Sequence, residues 1–336
     1  MEYKCSCPDS LDPAFSQNSI PVVFAANDHF APIFGVCLQS LMDQASPEHN
    51  YDLVLLHRDV SAENQAILSG MVASAQNISL RFFDVSKLVK DYDLKANAHI
   101  SVETYYRLLI QTVLPEYDKV LYLDCDLIIN EDVANLYATD VEGFLLAATR
   151  DPDFLGQLNG ATRKVQRYIL KELNMKDPSG YFQAGVLLFN EAEMRKAYTL
   201  EQWLTFASTP YRFNDQDVLN LHCEGRVKYL DMAWNLMTDC DHTRVRRVIS
   251  FAPQDIQQAY HRAHNDPKII HYAGHRKPWH KKDEDLAEYF WRTAEKTPYY
   301  SQICELTAQF TRQQQALEKT LAWRLRKLAK KILGRE

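Results

Sequence analysis

The stretch KVLYLDCDLIIN, residues 119–130, places two aspartates between two short apolar runs. The runs VLYL and LII have the apolar, β-prone character of a buried strand. Carboxylates are rarely buried unless they are paired or bound to a metal, so Asp124 and Asp126 mark this strand as unusual. Side chains two residues apart point the same way along an extended chain, and two carboxylates together suit Mg²⁺ or Mn²⁺.

The Asp-x-Asp pattern has little weight without its surroundings. It occurs six times in the chain, at residues 91–93, 124–126, 151–153, 215–217, 239–241 and 283–285. A solvated turn explains most of these copies and is the alternative for residues 124–126. The apolar runs on both sides favour a functional role for that copy, at the end of a core strand.

Strand and helix patterns alternate along most of the chain. Strand-like runs occupy residues 20–26, 51–57, 78–85, 120–129, 144–151, 184–190 and 268–274. Helical spacing of apolar residues occurs at 33–42, 61–74, 102–114, 191–207 and 214–222. This order predicts an α/β fold with a mainly parallel sheet covered by helices, in which ligands bind at the carboxyl ends of the strands.

Composition narrows the class of protein. The chain has 336 residues, 46% of them hydrophobic, and a net charge of −6, which argues against binding to nucleic acid. Its seven cysteines include no Cys-x-x-Cys pair, and no stretch has the ~20 apolar residues of a membrane span. We expect a cytoplasmic protein with a flexible leader (1–18), a catalytic domain (19–282) and a C-terminal helical extension (283–336).

The C-terminal residues 311–336 predict a basic amphipathic helix. Leucine and isoleucine recur at helical spacing, and basic residues cluster beside them, at Arg324, Arg326, Lys327, Lys330, Lys331 and Arg335. Such a helix is typical of proteins that bind the surface of an anionic membrane, which predicts a peripheral position at the inner face of the cell membrane. The alternative is a helix that docks on the protein's own acidic surface or on a partner subunit.

Five further segments, in order around residues 124–126, resemble those of family 8 glycosyltransferases. They are FAANDHFA (24–31), HISVETYYRLL (99–109), YFQAGVLLFN (181–190), FNDQDVLN (213–220) and IHYAGHRKPWH (270–280). The resemblance covers roughly residues 20–282, and the bacterial lipopolysaccharide galactosyl- and glucosyltransferases look most similar. It implies the GT-A fold, a UDP-sugar donor, retention of anomeric configuration, and Mn²⁺, with Mg²⁺ as the alternative.

The resemblance also assigns a metal site. It makes Asp124, Asp126 and His271 the metal ligands, and it places Asp124 and Cys125 near the ribose. A lone histidine at a strand end is more often a hydrogen-bonded structural residue. Here, however, His271 begins the family's HYxGxxKPW pattern. An imidazole with two carboxylates favours Mn²⁺ over Mg²⁺.

The same pattern supplies a phosphate-binding loop. Lys277 would place a cation near the β-phosphate, and Gly274 would let the backbone approach it closely. The alternative for Lys277 is an ordinary surface charge, although Pro278 restricts the backbone of the lysine.

Donor binding is assigned to two other segments. By resemblance, Ala25, Asn27 and His29 hold uridine, whereas a turn asparagine and a surface histidine are the structural alternatives. Many relatives have an acidic residue at the position of Asn27 and an asparagine at that of His29. His99 and Arg107 would lie near the donor sugar, although a structural salt bridge explains a helical Arg107 equally well.

The transferred hexose would be gripped by Asp151, Gln183, Asp215 and Gln216. Relatives often have asparagine at the position of Gln183, so the donor sugar can differ here. Asp215 also suits a helix N-cap. Because the amide of Gln216 is a poor nucleophile, the resemblance favours front-face attack by the acceptor, with Asp151 or Asp217 as covalent nucleophile in the alternative mechanism.

These assignments predict a retaining, metal-dependent transferase that moves galactose or glucose from a UDP-sugar to a saccharide or lipid-linked glycan acceptor. The product would be an α-glycosidic bond in cell-surface polysaccharide or lipopolysaccharide. Two alternatives come from other classes: a non-catalytic sugar-nucleotide-binding or scaffold protein, and a nucleotidyltransferase. The latter predicts a Gly-rich basic loop after the first strand, which FAANDHFA is not.

Overall fold

The computed structural model describes residues 10–94 and 101–332, and the side chains of residues 10–94 and 101–317. Within these ranges the strands are β1 (Ser19–Ala25), β2 (Asn50–His57), β3 (Ile78–Asp84), β4 (Lys119–Leu123), β5 (Leu127–Ile129), β6 (Leu146–Arg150), β7 (Phe182–Asn190), β8 (Val227–Tyr229), β9 (Leu236–Met237) and β10 (Ile269–His271). The alternation of helices and strands confirms the predicted α/β class.

The α-helices of the described chain are α1 (Ala31–Gln44), α2 (Ala62–Val72), α3 (Ser86–Val89), α4 (Ile110–Val113), α5 (Val133–Tyr137), α6 (Pro152–Leu158), α7 (Arg163–Lys171), α8 (Glu191–Ala197), α9 (Leu200–Ala207), α10 (Asn214–Cys223), α11 (Arg244–Arg247), α12 (Gln254–Asn265), α13 (Ala287–Ala294) and α14 (Tyr300–Ile332). Short 3₁₀ helices lie at Asp28–Phe30, Val102–Leu109, Pro178–Gly180, Met232–Asn235, Cys240–His242 and Ile249–Phe251.

The larger sheet of the described chain has the strand order β3-β2-β1-β4-β7-β6-β8. Strands β3, β2, β1 and β4 are parallel, whereas β7 runs antiparallel to both of its neighbours. The chain proceeds outward from β1 to one side through β2 and β3 and returns to the other side at β4. The reversal between β1 and β4 is the kind of position at which open α/β sheets bind ligands.

Both faces of this sheet are buried. Along β1, Val22 and Phe24 belong to the core beneath α1 and α2, and Val23 belongs to the core beneath residues 102–114 and α10. Because alternate residues point to opposite faces, a strand covered on both sides must be apolar throughout. This explains the unbroken apolar run PVVFA in the sequence.

The quoted stretch at residues 119–130 is not one strand, as the sequence predicted, but two strands in different sheets. Strand β4 pairs with β7 up to Leu123, and one more bond follows from the Asp124 amide to the Gly185 carbonyl (2.8 Å). The chain then turns through residues 124–126, and β5 joins a three-stranded sheet of order β5-β10-β9. This turn, which apolar periodicity alone does not reveal, directs the two aspartates toward a cavity.

Two predicted helices also differ from the structure. Residues 102–109 form a 3₁₀ helix that is followed by a single turn of α-helix, α4, and the segment 191–207 is split into α8 and α9. Thr199 causes the split because its side chain caps α9, in a reciprocal capping box with Gln202.

The smaller sheet positions His271. Strand β10 pairs antiparallel with β5, with His271 opposite Leu127, and the Tyr272 amide donates to the Asp126 carbonyl at 3.1 Å. The predicted strand 268–274 is therefore a three-residue strand followed by a turn, in which Gly274 has a φ of +118°.

The two ends of the chain extend beyond the sheet. In the predicted leader, the Leu11 amide donates to the Val113 carbonyl (2.8 Å), and Arg81 donates to the Asp12 carbonyl (2.6 Å). At the other end, α14 continues to Ile332. Within the described ranges, no helix combines the length and the apolar character that crossing a membrane requires.

Candidate active site

A cavity of about 290 Å³ opens where β1 and β4 end and β7 begins. It is lined by residues from the predicted motifs, which come from distant parts of the sequence. Because β7 is antiparallel, its first residues arrive at the same edge of the sheet at which β1 and β4 finish. Gln183, the second residue of β7, therefore reaches the cavity from the beginning of its strand.

Two carboxylates and an imidazole converge on one wall of the cavity. Donor atoms of Asp124, Asp126 and His271 all lie within 4.8 Å of one another. His271 Nε2 is 3.3 Å from Asp126 Oδ1 and 3.7 Å from Asp124 Oδ2. A Cβ atom on Gly185 would lie 2.3 Å from the imidazole and 2.7 Å from Asp124, so only glycine leaves room for this convergence.

Asn235, which sequence reasoning missed, fixes the orientation of the imidazole. Its Oδ1 lies 2.9 Å from His271 Nδ1, and its Nδ2 donates to Gln183 Oε1 at 2.5 Å. Because the amide oxygen can only accept, Nδ1 carries a proton, and Nε2 is the ring nitrogen that faces the two carboxylates. Three lone-pair donors that face one another suit a bound cation, and this donor set fits a divalent metal.

Lys277 also meets the acidic pair. Its Nζ donates to Asp126 Oδ2 at 2.5 Å and to the Tyr272 carbonyl at 2.6 Å. Burial alone would raise the pKa of Asp126, but the charges of Lys277 and His271 outweigh it, so this pKa is lowered. Lys277 thus lies inside the site rather than on the free surface.

Arg107 is buried between two acidic residues. Its Nη2 donates to Asp124 Oδ1 at 2.8 Å, its Nε lies 3.0 Å from Asp215 Oδ2, and its guanidinium stacks 4.2 Å above the Tyr122 ring. Only 3% of its side chain is exposed. Burial raises the pKa of Asp215 to about 6, and the nearby Asp124 charge adds to the rise, while Arg107 opposes it. The salt bridge that was the structural alternative for Arg107 is therefore present, and it lies at the wall of the cavity.

Gln216 is held by both ends of its amide. Its Oε1 accepts from the Ala184 amide at 2.9 Å, and its Nε2 donates to Asp151 Oδ2 at 3.0 Å. Asp151 caps α6 with its other oxygen, which accepts from the Phe154 amide at 2.9 Å. Burial, and then the charge of Asp153, raise the pKa of Asp151 to about 6. Asp151 lies behind Gln216 and does not line the cavity.

Asp217 is also turned away from the cavity. Its carboxylate accepts hydrogen bonds from the hydroxyls of Tyr168 and Tyr181, both at 2.7 Å, and from the Phe213 amide at 2.8 Å. Burial raises its pKa. These bonds indicate that Asp217 holds α10 against its neighbours.

Most residues assigned to the site from the sequence line this one cavity. They are Ala25, Asn27, Arg107, Asp124, Cys125, Asp126, Gln183, Asp215, Gln216, His271, Gly274 and Lys277. His29 is exposed and does not line it, and His99 lies outside the described residues. Burial raises the pKa of the Cys125 thiol, which donates to the Ala25 carbonyl at 3.3 Å and stays neutral.

Several lining residues were not predicted. They include Phe30, Glu103, Thr104, Tyr122 and Phe213. Tyr122 could have been predicted, because it precedes Asp124 by two residues and such side chains share one side of an extended chain. Its hydroxyl donates to Asp124 Oδ1 at 3.0 Å. Asn235 gave no signal, because it lies in the irregular part of the sequence after residue 230.

A second group of metal-type side chains lies nearby. Donor atoms of Cys240, Asp241 and His275 also fall within 4.8 Å of one another. His275 Nε2 already faces Asp241 at 2.9 Å, its Nδ1 faces Cys240 at 3.8 Å, and Arg276 lies 3.4 Å from Asp241. Since one ion can use only one ring nitrogen, this geometry fits a metal less well than the group around His271.

Comparison with known proteins assigns the family. The model of glycosyl transferase family 8 matches residues 21–283. The chain belongs to this family. The resemblance read from the sequence is thereby confirmed.

The relatives with curated names have low sequence identity to this chain, but the similarity covers more than half of it. A putative glycosyltransferase of Haemophilus influenzae is 26% identical over 269 residues, which is 79% of this chain and 74% of that protein. The lipopolysaccharide 1,2-glucosyltransferase of Escherichia coli K12 is 25% identical over 189 residues, 57% of this chain and 49% of that protein. The chain is therefore a family 8 glycosyltransferase.

Solved structures confirm the fold. The bifunctional glycosyltransferase WbbM matches with a TM-score of 0.80 and 30% identity over 89% of this chain, which spans 53% of WbbM. The galactosyltransferase LgtC, solved with donor and acceptor sugar analogues, matches with a TM-score of 0.66 and 26% identity, covering 83% of this chain and 96% of LgtC. The fold is of the predicted GT-A type.

The raised pKa of Asp151 makes a prediction about stability. A native pKa of about 6, against an ordinary 3.8, means that the ionised carboxylate destabilises the fold fully above pH 6 and not at all below pH 3.8. Asn can still cap α6 with its single oxygen, but its amide nitrogen cannot accept from Gln216, and the loss of that bond costs the same at every pH. Relative to the wild type, Asp151→Asn should therefore have a free energy of unfolding that is higher at pH 8 than at pH 5, by about 1 kcal/mol.

Urea unfolding at both pH values measures this difference. The exposed Asp140→Asn is the control and should show no gain. An Asp151→Asn protein that is destabilised equally at pH 5 and pH 8 would contradict the assignment.

Proposed function

We propose that this protein is a retaining, metal-dependent hexosyltransferase that moves galactose or glucose from a UDP-sugar to a saccharide or lipid-linked glycan acceptor. The α-glycosidic bond it forms would belong to a cell-surface polysaccharide or lipopolysaccharide. One observation carries this proposal. In a family 8 fold, one cavity is lined by the metal-type group of Asp124, Asp126 and His271 and by Lys277 beside it. Gln216, whose amide is hydrogen-bonded at both ends, lines the same cavity.

Asp124, Asp126 and His271 would hold the divalent cation. When bound, the cation would act as a Lewis acid that neutralises the charge developing on the departing diphosphate. Two carboxylate oxygens with one imidazole nitrogen favour Mn²⁺, and Mg²⁺ is the second choice. Lys277, whose ammonium shares Asp126, would place a further positive charge beside the leaving group.

The remaining wall would hold the nucleoside and the sugar. Ala25, Asn27 and Phe30 at the end of β1 would take the uridine, with the Phe30 ring offering a face or edge for the base. Gln183, Asp215 and Arg107 would contact the hexose. Gln183 is already bonded to Asn235, so a sugar that moves Gln183 also disturbs the partner of His271.

Gln216 fits a front-face reaction better than a double displacement. Its amide oxygen accepts from the Ala184 amide, which leaves one lone pair that can stabilise positive charge at the anomeric carbon. The acceptor hydroxyl would attack from the side on which UDP leaves and lose its proton to a phosphate oxygen. Asp151 and Asp217, the alternative nucleophiles, both lie outside the cavity lining.

The competing proposal is a sugar-nucleotide-binding or scaffold protein with the same fold. It is favoured only by the departures from the family at Asn27 and Gln183. The intact group of Asp124, Asp126 and His271, with Lys277 and Gln216, favours the enzyme.

We also propose that the protein is cytoplasmic and binds the inner face of the cell membrane through its C-terminal basic residues. The backbone of α14 is helical to Ile332, as an amphipathic anchor requires. The quadruple variant Arg324→Gln, Lys327→Gln, Lys330→Gln, Lys331→Gln should bind vesicles with 30% phosphatidylglycerol about 100- to 1,000-fold more weakly, since each lost charge contributes about 1 kcal/mol. Flotation measures this, and unchanged binding, or equal binding of the wild type to neutral phosphatidylcholine vesicles, would refute the anchor.

The enzymatic proposal is tested by release of UDP from a panel of UDP-hexoses, with Mn²⁺ and with EDTA. We expect release from one or two sugars, with a loss of at least 100-fold in EDTA. Gln216→Ala should lose most of the release while UDP binding remains. Tight binding of UDP without any release, even with lipid-linked glycan present, would favour the scaffold.

A further inference from the structure

The outer face of α7 is strongly basic. Val165 and Ile169 pack into the core, and the opposite side of the helix carries four exposed cations, Arg163, Lys164, Arg167 and Lys171. Like charges at a spacing of four residues destabilise a helix, so this face is unfavourable for the isolated protein.

A second basic element lies close by. Arg246 and Arg247 of α11 are exposed, and both α7 and the segment after α11 pack against α6. Residues 161–176 and 242–250 together hold eight lysines and arginines and one glutamate, although the whole chain has a net charge of −6. We call these two segments the α7–α11 surface.

Six exposed cations of this surface have no counter-ion among the described residues, whereas Arg244 pairs with Asp153 at 3.1 Å. Arg163, Lys164, Arg167, Lys171, Arg246 and Arg247 form no ion pair with any of the described residues, whereas Arg195, Lys196 and Arg226 elsewhere on the surface all pair with acidic side chains. Six neighbouring cations that lack partners are typical of a site for an anionic ligand.

The α7–α11 surface is attached directly to the cavity. Tyr168 of α7 packs edge-on against Phe213 (6.0 Å between ring centroids), and Phe213 lines the cavity beside Gln216. From α11, Arg244 donates to the carbonyl of Ala273, another lining residue, at 2.8 Å. The two elements that carry the basic residues therefore each contact a residue that lines the cavity.

We propose that the α7–α11 surface binds the acceptor, and that this acceptor is a glycan that carries phosphate groups. The inference rests on the proposed glycosyltransferase function. Lys277 lies within the cavity, where it would contact the phosphates of the donor. The α7–α11 cations lie outside the cavity, so they would bind a second, separate polyanion. Besides the donor, the reactant that must bind in every turnover is the acceptor.

Binding to rough lipopolysaccharide, intact or dephosphorylated with hydrofluoric acid, tests this proposal at 150 mM salt. The variant Arg163→Gln, Lys164→Gln, Arg167→Gln keeps good helix formers on α7. The control, Lys196→Gln, Arg292→Gln, Arg312→Gln, removes the same charge at exposed positions on α8, α13 and α14. Vesicles of 30% phosphatidylglycerol without glycan form a third arm, and hydrolysis of the UDP-hexose without acceptor reports on the donor site.

We expect the wild type and the control to bind intact lipopolysaccharide at least tenfold more tightly than the dephosphorylated form. The α7 variant should lose this preference while its donor hydrolysis is unchanged. Failure of the wild type to prefer the intact form, or equal binding by the α7 variant, would overturn the proposal. An equal loss on glycan-free vesicles would overturn it in favour of a lipid surface. Absence of donor hydrolysis in every protein would instead refute the proposed function.

Discussion

The convergence of Asp124, Asp126 and His271 at the end of β4 is the constraint on which the rest of the site depends. Two carboxylates held this close repel each other unless positive charge lies beside them. The protein supplies such charge from both sides, with Arg107 against Asp124 and Lys277 against Asp126. These two residues also border the cavity, so the groups that make the acidic cluster tolerable are positioned to meet an anionic ligand.

Backbone geometry makes this convergence possible. The chain leaves one sheet after Leu123 and enters another at Leu127, so both aspartates lie in the turn between two strand pairings. Gly185 on the antiparallel strand β7 leaves the space that the imidazole and Asp124 occupy. Asn235 then selects the tautomer of His271 and, through Gln183, connects the metal-type group to the opposite wall.

Local sequence patterns predicted the parts of the fold that follow from local physics. The apolar runs that became β1 and β2 are buried on both faces, and burial on both faces is what an unbroken apolar run indicates. Asp124, Asp126 and His271 were found through their motifs. The turn at residues 124–126 and the role of Asn235 could not be predicted, because both are set by pairing with strands that are distant in the sequence. His29 shows the converse, since it belongs to a motif but lies outside the cavity.

Binding of Mn²⁺ to the isolated protein tests the central claim most directly, by titration followed by electron paramagnetic resonance. One ion should bind per chain. Asp126→Asn should abolish binding without lowering the melting temperature, and Asn235→Leu should weaken it about 10- to 100-fold. Asp241→Asn, in the other Asp-Cys-Asp tripeptide, should leave it unchanged. Binding that survives Asp126→Asn and is lost in Asp241→Asn would contradict the assignment of the metal to Asp124, Asp126 and His271.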